Sequence, residues 1–454
     1  MTVSQEFARY VCSAELSAKD QETVANVKSR IVDYIAVSSA ARYYSDLPDK
    51  LEAYAAGLSG GKCGEPGAGR SYPVNVAGFL NAALAHCLDY DDGHLWAGVH
   101  AAGPVIGTAF ALAPKYKSSG KLFLEAITLG YEIEYRLAKA LGKSHIQKGF
   151  HGSCTCGVIG AAVTAGKLIG LSEKPMAYAI GLAGLGAFGS RQPLVEGQMS
   201  KPIQVGYVAE KGITAALLAS QGVEGPLEIF EGAKGLFSIF ADTPKQQIVD
   251  DCLKDLGKRH LINDTYTKLY PCCRYTHPAI EAAFKLINVI PDLKEISEIV
   301  VNTFDIAIEA TAPNQSPNSI GEARFSMNYL LAVALHQGFV GVDDFTDTAI
   351  RRELIRETAK KVTGYSTKEW NDVYPDIRGA EIIIKTKDGN SYSQKIDKLS
   401  GMSGDHEEVQ RKFMNACQKI FTAERSRKIL AYVAEIDSRT DAAELVLLCN
   451  ERIV

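Results

Sequence analysis

Apolar residues recur at helical spacing through roughly the first 250 positions of the chain. One stripe is made by Val24, Val27, Ile31 and Ile35, after a plausible N-cap at Asp20. A second stripe lies between Gly120 and Gly142 and is made by Leu122, Ala126, Leu129, Ile133 and Leu137. This periodicity predicts amphipathic helices. Gly and Ala recur every three or four positions over 157–170 and 177–190, which predicts closely approaching helices.

The pattern changes after about residue 262. The segment 296–304 is β-branched and alternating, as expected for a strand. Two strand-like runs over 380–393 flank Asp388-Gly389, a dipeptide typical of a hairpin turn. Helical spacing returns between these strands, over 278–290 and 324–337. These alternations predict a smaller α+β domain.

The C-terminal tail, from Glu407 onward, is again helical in pattern. Its stripe is made by Val409, Phe413, Cys417 and Ile420. A helical tail after an α+β insert suggests packing against the N-terminal helices. We therefore predict a mainly α protein, with helical residues 1–262, an α+β domain over 263–396, and helices over 397–454 that return to the first domain.

Composition narrows the class of protein. The chain has 454 residues, of which 46% are hydrophobic and 22% charged, with a formal net charge of −4. These values are typical of a globular protein, and the absence of any basic run argues against a nucleic-acid partner. The start of the sequence lacks the apolar core of a signal peptide, and charges and a proline interrupt the apolar stretch 158–188. We expect no membrane association and a cytoplasmic location.

Two local patterns suggest sites but fit poorly. Cys154 and Cys156 form a C-x-C pair and Cys272 and Cys273 a C-C pair, whereas zinc sites favour C-x₂-C units. We interpret these cysteines as buried thiols. The glycine-rich segment 57–69 lacks a Gly-Lys-Ser/Thr and dinucleotide spacing, so we predict a connector there.

Acids and imidazoles are concentrated over residues 86–100. This stretch holds His86, His94, His100 and three aspartates, namely Asp89, Asp91 and Asp92. Crowded carboxylates raise one another's pKa, and an imidazole beside a carboxylate titrates near neutral pH. Such clusters are typical of metal sites or acid–base sites.

Three chemistries compete for this cluster. Residues 89–92 match the D-x-D-D pattern of some terpene cyclases, but few aromatic residues are available to line such a pocket. A metal could be bound by Asp89, His94, His100 and His151, although no fixed ligand spacing supports it. Proton transfer explains more of the sequence, because histidine supplies a base and lysine stabilises an enediolate.

Two lysines complete the acid–base hypothesis. Lys201 and Lys268 each precede a proline by one to three positions among apolar neighbours. A lysine in such a context is a candidate for holding a carboxylate as a point charge. His86 lies among closely spaced alanines, so we predict that it faces the helical core rather than the site.

These residues resemble those of the MmgE/PrpD family, which includes 2-methylcitrate dehydratase, cis-aconitate decarboxylase and iminodisuccinate epimerase. The matching motifs are, in chain order, Asn81-Ala-Ala-Leu-Ala-His86-Cys-Leu-Asp89-Tyr-Asp91-Asp92, Gly149-Phe-His151, Ser200-Lys201-Pro202 with Gly206 and Ala209, Lys268-Leu-Tyr-Pro271, Glu322-Ala-Arg324-Phe325-Ser326, and Lys412-Phe413. Each motif is short, but six of them occur in the same order over nearly the whole chain.

The resemblance implies a helical domain built from both chain ends, an inserted α+β lid, and an active site between the two. It also implies a homodimer that needs no metal and no organic cofactor. Residues carried over as catalytic are Asp89, His100, His151, Lys201 and Lys268. We assign substrate binding to Asp91, Gly93, Cys273, Arg274 and His277.

The chain departs from the decarboxylase-like pattern at four places. Gly93 replaces a threonine, His100-Ala-Ala-Gly replaces His-Pro-Ser-Gly, and Phe150-His151-Gly-Ser replaces Phe-His-Pro-Pro. Cys273 stands where a lid histidine is expected, and His277 follows it. These changes alter the pocket and leave the proton-transfer residues in place.

The sequence thus predicts a cofactor-independent lyase, a 2-methylcitrate dehydratase-like enzyme that eliminates water from a citrate-like or alkylcitrate-like polycarboxylate. Decarboxylation or epimerisation of a related dicarboxylate at the same site is an alternative. A third hypothesis is a non-catalytic protein that binds carboxylates.

Overall fold

The computed structural model describes residues 1–17, 20–58, 63–64, 71–313 and 315–450. Most of the predicted glycine-rich connector lies outside these residues. The chain divides into two compact units, the first formed by residues 1–192, 200–267 and 402–454 and the second by residues 193–199 and 268–401. The protein is mainly helical, as predicted. A lid function for the second unit stays a prediction.

Helices account for most of the described chain. They are Val3–Ser13 (α1), Gln21–Tyr44 (α2), Leu47–Ala56 (α3), Val74–His86 (α4), Gly107–Tyr116 (α5), Gly120–Gln147 (α6), Gly152–Thr155 (α7), Gly157–Ile169 (α8), Glu173–Gly184 (α9), Gln192–Val195 (α10), Lys201–Ser220 (α11), Leu236–Phe240 (α12), Lys245–Leu253 (α13), His277–Leu286 (α14), Asp305–Thr311 (α15), Ile320–Arg324 (α16), Met327–Gln337 (α17), Glu353–Ala359 (α18), Lys368–Val373 (α19), His406–Cys417 (α20), Ala423–Ala434 (α21) and Ala443–Asn450 (α22). The strands are Cys63–Gly64 (β1), Ser71–Tyr72 (β2), Gly93–His94 (β3), Thr265–Tyr266 (β4), Ile296–Thr303 (β5), Val362–Ser366 (β6), Ala380–Thr386 (β7) and Ser391–Ile396 (β8).

Helices α4, α8 and α11 form the centre of the first unit, where α11 packs against both of the others. Small residues allow the close approach that the sequence predicts. A Cβ at Gly206 would lie 2.8 Å from the carbonyl oxygen of Phe79, and one at Gly212 would lie 2.8 Å from the backbone nitrogen of Ala162. Within the described residues, one helical stretch, 152–169, has the length and composition to cross a membrane, and 89% of it is buried in the structure.

Both chain ends contribute to the first unit. Helix α20 from the C-terminal segment packs along α2, which is buried over most of its length. A helix from the C-terminal segment thus contacts a helix from the N-terminal segment within the first unit. A five-residue π-helical turn, Ala102–Ile106, begins two residues after His100 and leads into α5. Such turns widen a helix locally and are frequent at functional sites.

A four-stranded sheet in the order β6-β5-β7-β8 organises the second unit. Strand β5 is parallel to β6 and antiparallel to β7, and β7 pairs antiparallel with β8. Alternate residues of β5 and β7, such as Ile299 and Ile382, are buried in a core with α14 and α17. The predicted hairpin is confirmed, since Gly389 turns the chain between β7 and β8 with a φ of +89°.

Candidate acid–base site

The candidate site in the first unit begins where α4 ends. Asp89 follows that helix in the left-handed region, with a φ of +49°, a conformation that aspartate adopts more readily than most residues. Its carboxylate accepts a hydrogen bond from the ammonium of Lys201, with Nζ and Oδ1 2.6 Å apart. Lys201 is the first residue of α11, and both side chains are buried. Asp89 and Lys201, which the sequence predicted as site residues, are 112 positions apart in the chain and form one ion pair.

His100 is held through both its backbone and its ring. Its N–H donates to Ser153 Oγ at 2.9 Å, and its ring Nδ1 makes a short contact with the carbonyl oxygen of Asp92. Because a carbonyl only accepts, Nδ1 of His100 carries the proton in this arrangement. The neutral ring then presents Nε2 as its basic nitrogen.

His151 lies in a loop that is fixed at both ends. Its N–H donates to the carbonyl of Gly189, and the N–H of Arg191 donates to the carbonyl of Gly149. Burial lowers the pKa of His151 well below its usual value, and the charge of Lys201 lowers it further. The ring is therefore neutral near pH 7, as a general base must be.

A thiol accompanies His151. Cys154 Sγ lies 3.1 Å from His151 Nδ1, and burial raises the pKa of this thiol so that it stays protonated. The thiol sulfur can accept the Nδ1–H of His151, which leaves Nε2 as the basic nitrogen of the neutral ring. Cys154 is fully buried, as predicted for this thiol.

His86 joins the two candidate histidines, contrary to the prediction that it would face away from the site. It ends α4, is 1% exposed, and its ring centroid lies 5.2 Å from that of His100 and 5.8 Å from that of His151. Its Nδ1 lies 2.7 Å from Asp91 Oδ2. The alanines around it indicated tight packing correctly, but the sequence carried no signal that the neighbours were two other imidazoles.

Asp92 lies behind the site. The hydroxyl of Tyr131 donates to its Oδ2 at 2.7 Å. Burial raises the pKa of Asp92 to about 7, with Asp33 and Asp91 adding to this effect and the charge of Arg30 opposing it. Asp92 thus serves as a structural, partly protonated carboxyl whose backbone oxygen orients His100.

A buried lysine from the C-terminal segment secures the same loop. Lys412 in α20 donates to the carbonyl of Tyr90 at 2.7 Å and pairs with Asp33 of α2 at 2.6 Å. Both charged side chains are almost completely buried. Lys412 matched a family motif in the sequence, yet only the structure shows that it anchors the Asp89–Asp92 loop.

Gly93 and His94 occupy β3, which pairs with β4. A Cβ at Gly93 would overlap the hydroxyl oxygen of Tyr266 and would lie 2.6 Å from its ring carbon Cζ. His94 accepts backbone N–H groups of Trp96 and Ala97 at its Nδ1, and its ring contacts Tyr135. His94 is thus structural, and the tyrosine ring takes the space that a larger residue at 93 would need.

The second unit carries the other predicted residues. Arg274 Nη1 donates to His277 Nδ1 at 3.0 Å, and Arg274 Nη2 donates to the carbonyl of Ser400. Cys273 donates its N–H to the carbonyl of Arg324. Lys268 is 1% exposed. A catalytic role for Lys268 stays a prediction, and so do the substrate-binding roles of Asp91, Gly93, Cys273, Arg274 and His277.

The hypothesised metal ligands do not converge. Within the described ranges, no group of three or more His, Cys, Asp or Glu side chains is arranged to hold a metal ion. The same region instead joins Asp89, His100, His151 and Lys201 with Asp91 and His86.

These features define a mainly helical protein with a buried imidazole–carboxylate–lysine site and a separate small α+β unit. The MmgE/PrpD N-terminal domain matches residues 5–248, and the MmgE/PrpD C-terminal domain matches residues 270–438. The chain belongs to the MmgE/PrpD family, as the sequence motifs predicted.

Similar proteins include the cis-aconitate decarboxylase-like protein oryM of Aspergillus oryzae, which is 26% identical over 413 residues and aligns over 86% of this chain and 85% of its own length. The cis-aconitate decarboxylase of Aspergillus terreus is 25% identical, with 86% of this chain and 84% of its own length aligned. The cis-aconitate decarboxylase of Mus musculus is 24% identical over 98% of this chain and 93% of its own length.

Proposed function

We propose that this protein is a cofactor-independent lyase that eliminates water from a citrate-like or alkylcitrate-like polycarboxylate. The observation that carries the proposal is the cluster in which His100 and His151 lie against one shared imidazole, beside the Asp89–Lys201 pair. Elimination of water needs a base for the α-proton and an acid for the leaving hydroxyl. Two separately held histidines supply that pair of groups.

In the proposed reaction, neutral His151 removes the proton next to a substrate carboxylate. The electrons of that C–H bond first delocalise into the carboxylate as an enediolate, and they then form the carbon–carbon double bond as the β-hydroxyl leaves. His100, in the form that carries a proton on Nε2 as well as on Nδ1, donates its Nε2 proton to the leaving hydroxyl, so that water is released. Lys201 stabilises the enediolate charge that develops on the carboxylate, and Asp89 orients the lysine.

A second candidate reaction is decarboxylation, which the names of the similar proteins favour. In that reaction the bond from carbon to a carboxylate breaks, CO₂ leaves, and a histidine protonates the resulting carbanion. The same lysine and histidines would serve. Decarboxylation of an unsaturated acid requires no base for an α-proton. Only one histidine of the pair, the one that protonates the carbanion, then has a defined role.

Proton NMR in D₂O separates these reactions. The purified protein is incubated with citrate, 2-methylcitrate, longer alkylcitrates, cis-aconitate and iminodisuccinate. Loss of water with a new vinyl or allylic signal supports the dehydratase, and loss of CO₂ from cis-aconitate supports the decarboxylase. Deuterium entering one carbon without elimination indicates an epimerase. If every substrate persists unlabelled, the proposal is wrong and carboxylate binding without catalysis becomes the better hypothesis.

Lys201→Ala tests the lysine in the same assay. We expect turnover to fall by about two to four orders of magnitude, the usual range for acid–base and charge-stabilising groups. Lys385→Ala is the matched control, because that lysine is exposed on β7 of the second unit. Residual activity of Lys201→Ala within tenfold of the wild type would contradict its role.

A further inference from the structure

We propose that His86 and Asp91 form a positioning dyad that orients His100 and His151 for proton transfer, without touching the substrate. This inference rests on the proposed function of the two flanking histidines. It assigns a role to a residue that the resemblance left unassigned, and it gives Asp91 a partner within the protein.

The dyad is defined by a buried hydrogen bond. His86 Nδ1 and Asp91 Oδ2 are 2.7 Å apart, and both side chains are fully buried. A short distance of this kind is typical of a charge-assisted bond in which the imidazole N–H donates to a carboxylate. The bond fixes both the tautomer and the ring plane of His86, as a carboxylate does for a catalytic histidine.

The fixed ring then limits its two neighbours. The ring planes of His86 and His100 are inclined at 57°, and those of His86 and His151 at 38°. Both contacts are within the range at which aromatic rings pack against one another. A rotation of His86 would therefore move into the space of His100, of His151, or of both.

The charges near His86 also affect the protonation of its neighbour His151. The groups around His86 include Asp91 on the loop that follows α4, His100 before the π-helical turn, and His151 before α7. His151 also experiences the charges of Lys201, Arg191 and Asp89. Three imidazoles this close cannot all be protonated, so a proton held between His86 and Asp91 favours the neutral form of His151.

The experiment uses the full-length protein labelled with ¹³C and ¹⁵N in histidine, of which the chain has nine. Ring signals are followed against pH, without substrate, in the wild type and in His86→Gln and Asp91→Asn. We expect the titration midpoint of His151 to rise in His86→Gln, with shifted His100 signals in both variants. Unchanged His100 and His151 signals in both variants would overturn the proposal.

The control is His336→Gln in α17 of the second unit, which also removes a ring hydrogen-bonded to one side chain, that of Thr358. It should leave the His100 and His151 signals unchanged. One measurement needs no variant and so survives any loss of folding. In the wild type, ¹⁵N shifts should show the proton of His86 on Nδ1, and a bare Nδ1 would overturn the dyad.

Steady-state kinetics of His86→Gln are measured as a second test of the dyad. For His86→Gln we expect kcat to fall at least tenfold, with KM changed less than threefold, because orientation affects proton transfer more than binding. A wild-type protein that turns over no substrate would contradict the proposed function, while the NMR result would still decide the dyad. A wild-type protein that is active alongside a fully active His86→Gln would overturn the dyad alone.

Discussion

The sheet of the second unit and the buried polar cluster of the first unit are stabilised in contrasting ways. The β7–β8 hairpin is formed by residues close in sequence, and its strands bury alternate apolar side chains. The cluster depends on contacts such as Lys201–Asp89 and Lys412–Tyr90, which join residues 112 and 322 positions apart. Exposed pairs on a sheet contribute little, whereas a buried charge that loses its partner is costly. Single polar substitutions should therefore matter much more in the cluster.

The largest contrast is expected between two lysines. Lys412→Ala removes the partner of buried Asp33 and should lower the free energy of unfolding by about 3–5 kcal/mol, the usual loss for a broken buried pair. Lys385→Ala breaks the exposed pair with Glu298 and should leave the urea midpoint unchanged within error. Equal midpoints for the two variants would show that the anchor at Lys412 is unimportant.

A smaller contrast is expected between two glycines. Gly93→Ala places a Cβ against Tyr266 and should cost about 1–3 kcal/mol, as overpacking usually does. Gly389→Ala meets nothing within 4 Å, so its cost is only that of a positive φ, about 1 kcal/mol.

Thermal unfolding with a double-mutant cycle checks the cause of these losses. Tyr266→Ala should compensate for part of the loss in the Gly93→Ala background, because it removes the overlapping ring. In the Gly389→Ala background the two effects should simply add. Additivity in both backgrounds would contradict the proposed clash.

The smallest contrast concerns pH. Glu134 in α6 is fully buried, neither of its carboxyl oxygens has a hydrogen-bond partner in the structure, and burial together with Asp92 and Asp91 raises its pKa well above the usual value. A raised pKa means that the folded state keeps a proton that the unfolded chain releases. Its stabilising effect is complete at acid pH and declines as pH rises, by about 1.4 kcal/mol per pH unit between the two pKa values.

Urea unfolding from pH 5 to 8 tests this sign. Glu134→Gln should flatten the decline of stability toward alkaline pH, while the contribution of Asp92, with its pKa near 7, remains. His151 affects stability at acid rather than alkaline pH. Because its pKa is lowered in the folded state, stability is lost as pH falls below the pKa of the unfolded residue. In the second unit, hydrogen bonds from Thr386 and Asn390 lower the pKa of Asp388, so Asp388→Asn should alter only the acid limb. An unchanged alkaline limb in Glu134→Gln would be inconsistent with a neutral Glu134.

Local elements were the easier part to predict from the sequence. The strand at 296–303 and the hairpin around Gly389 follow from alternation and turn chemistry, which involve neighbouring residues. Helix α6 begins at Gly120 and departs from helical geometry at Gly142, both positions that the apolar stripe and the glycines indicated. Such signals are local, so tertiary contacts are not needed to recognise them.

The candidate site was recognised only in part. Asp89, His100, His151 and Lys201 were chosen by residue type and motif, and the structure brings them together in the first unit. His86 was assigned to the core because alanines surround it in sequence. Its spatial neighbours are an aspartate and two histidines, which no pattern along α4 could reveal.

The sequence by itself determined the helical periodicity, the position of the hairpin and the inventory of acids, imidazoles and lysines, because these depend on residues near one another in the chain. Only the tertiary structure decided which of these groups are partners and which are neutral. Lys412 became an anchor, Asp92 a carboxyl with a raised pKa, and His86 the link between two histidines. The physical reason is that burial and distance set the energy of a charge, and both depend on helices remote in sequence.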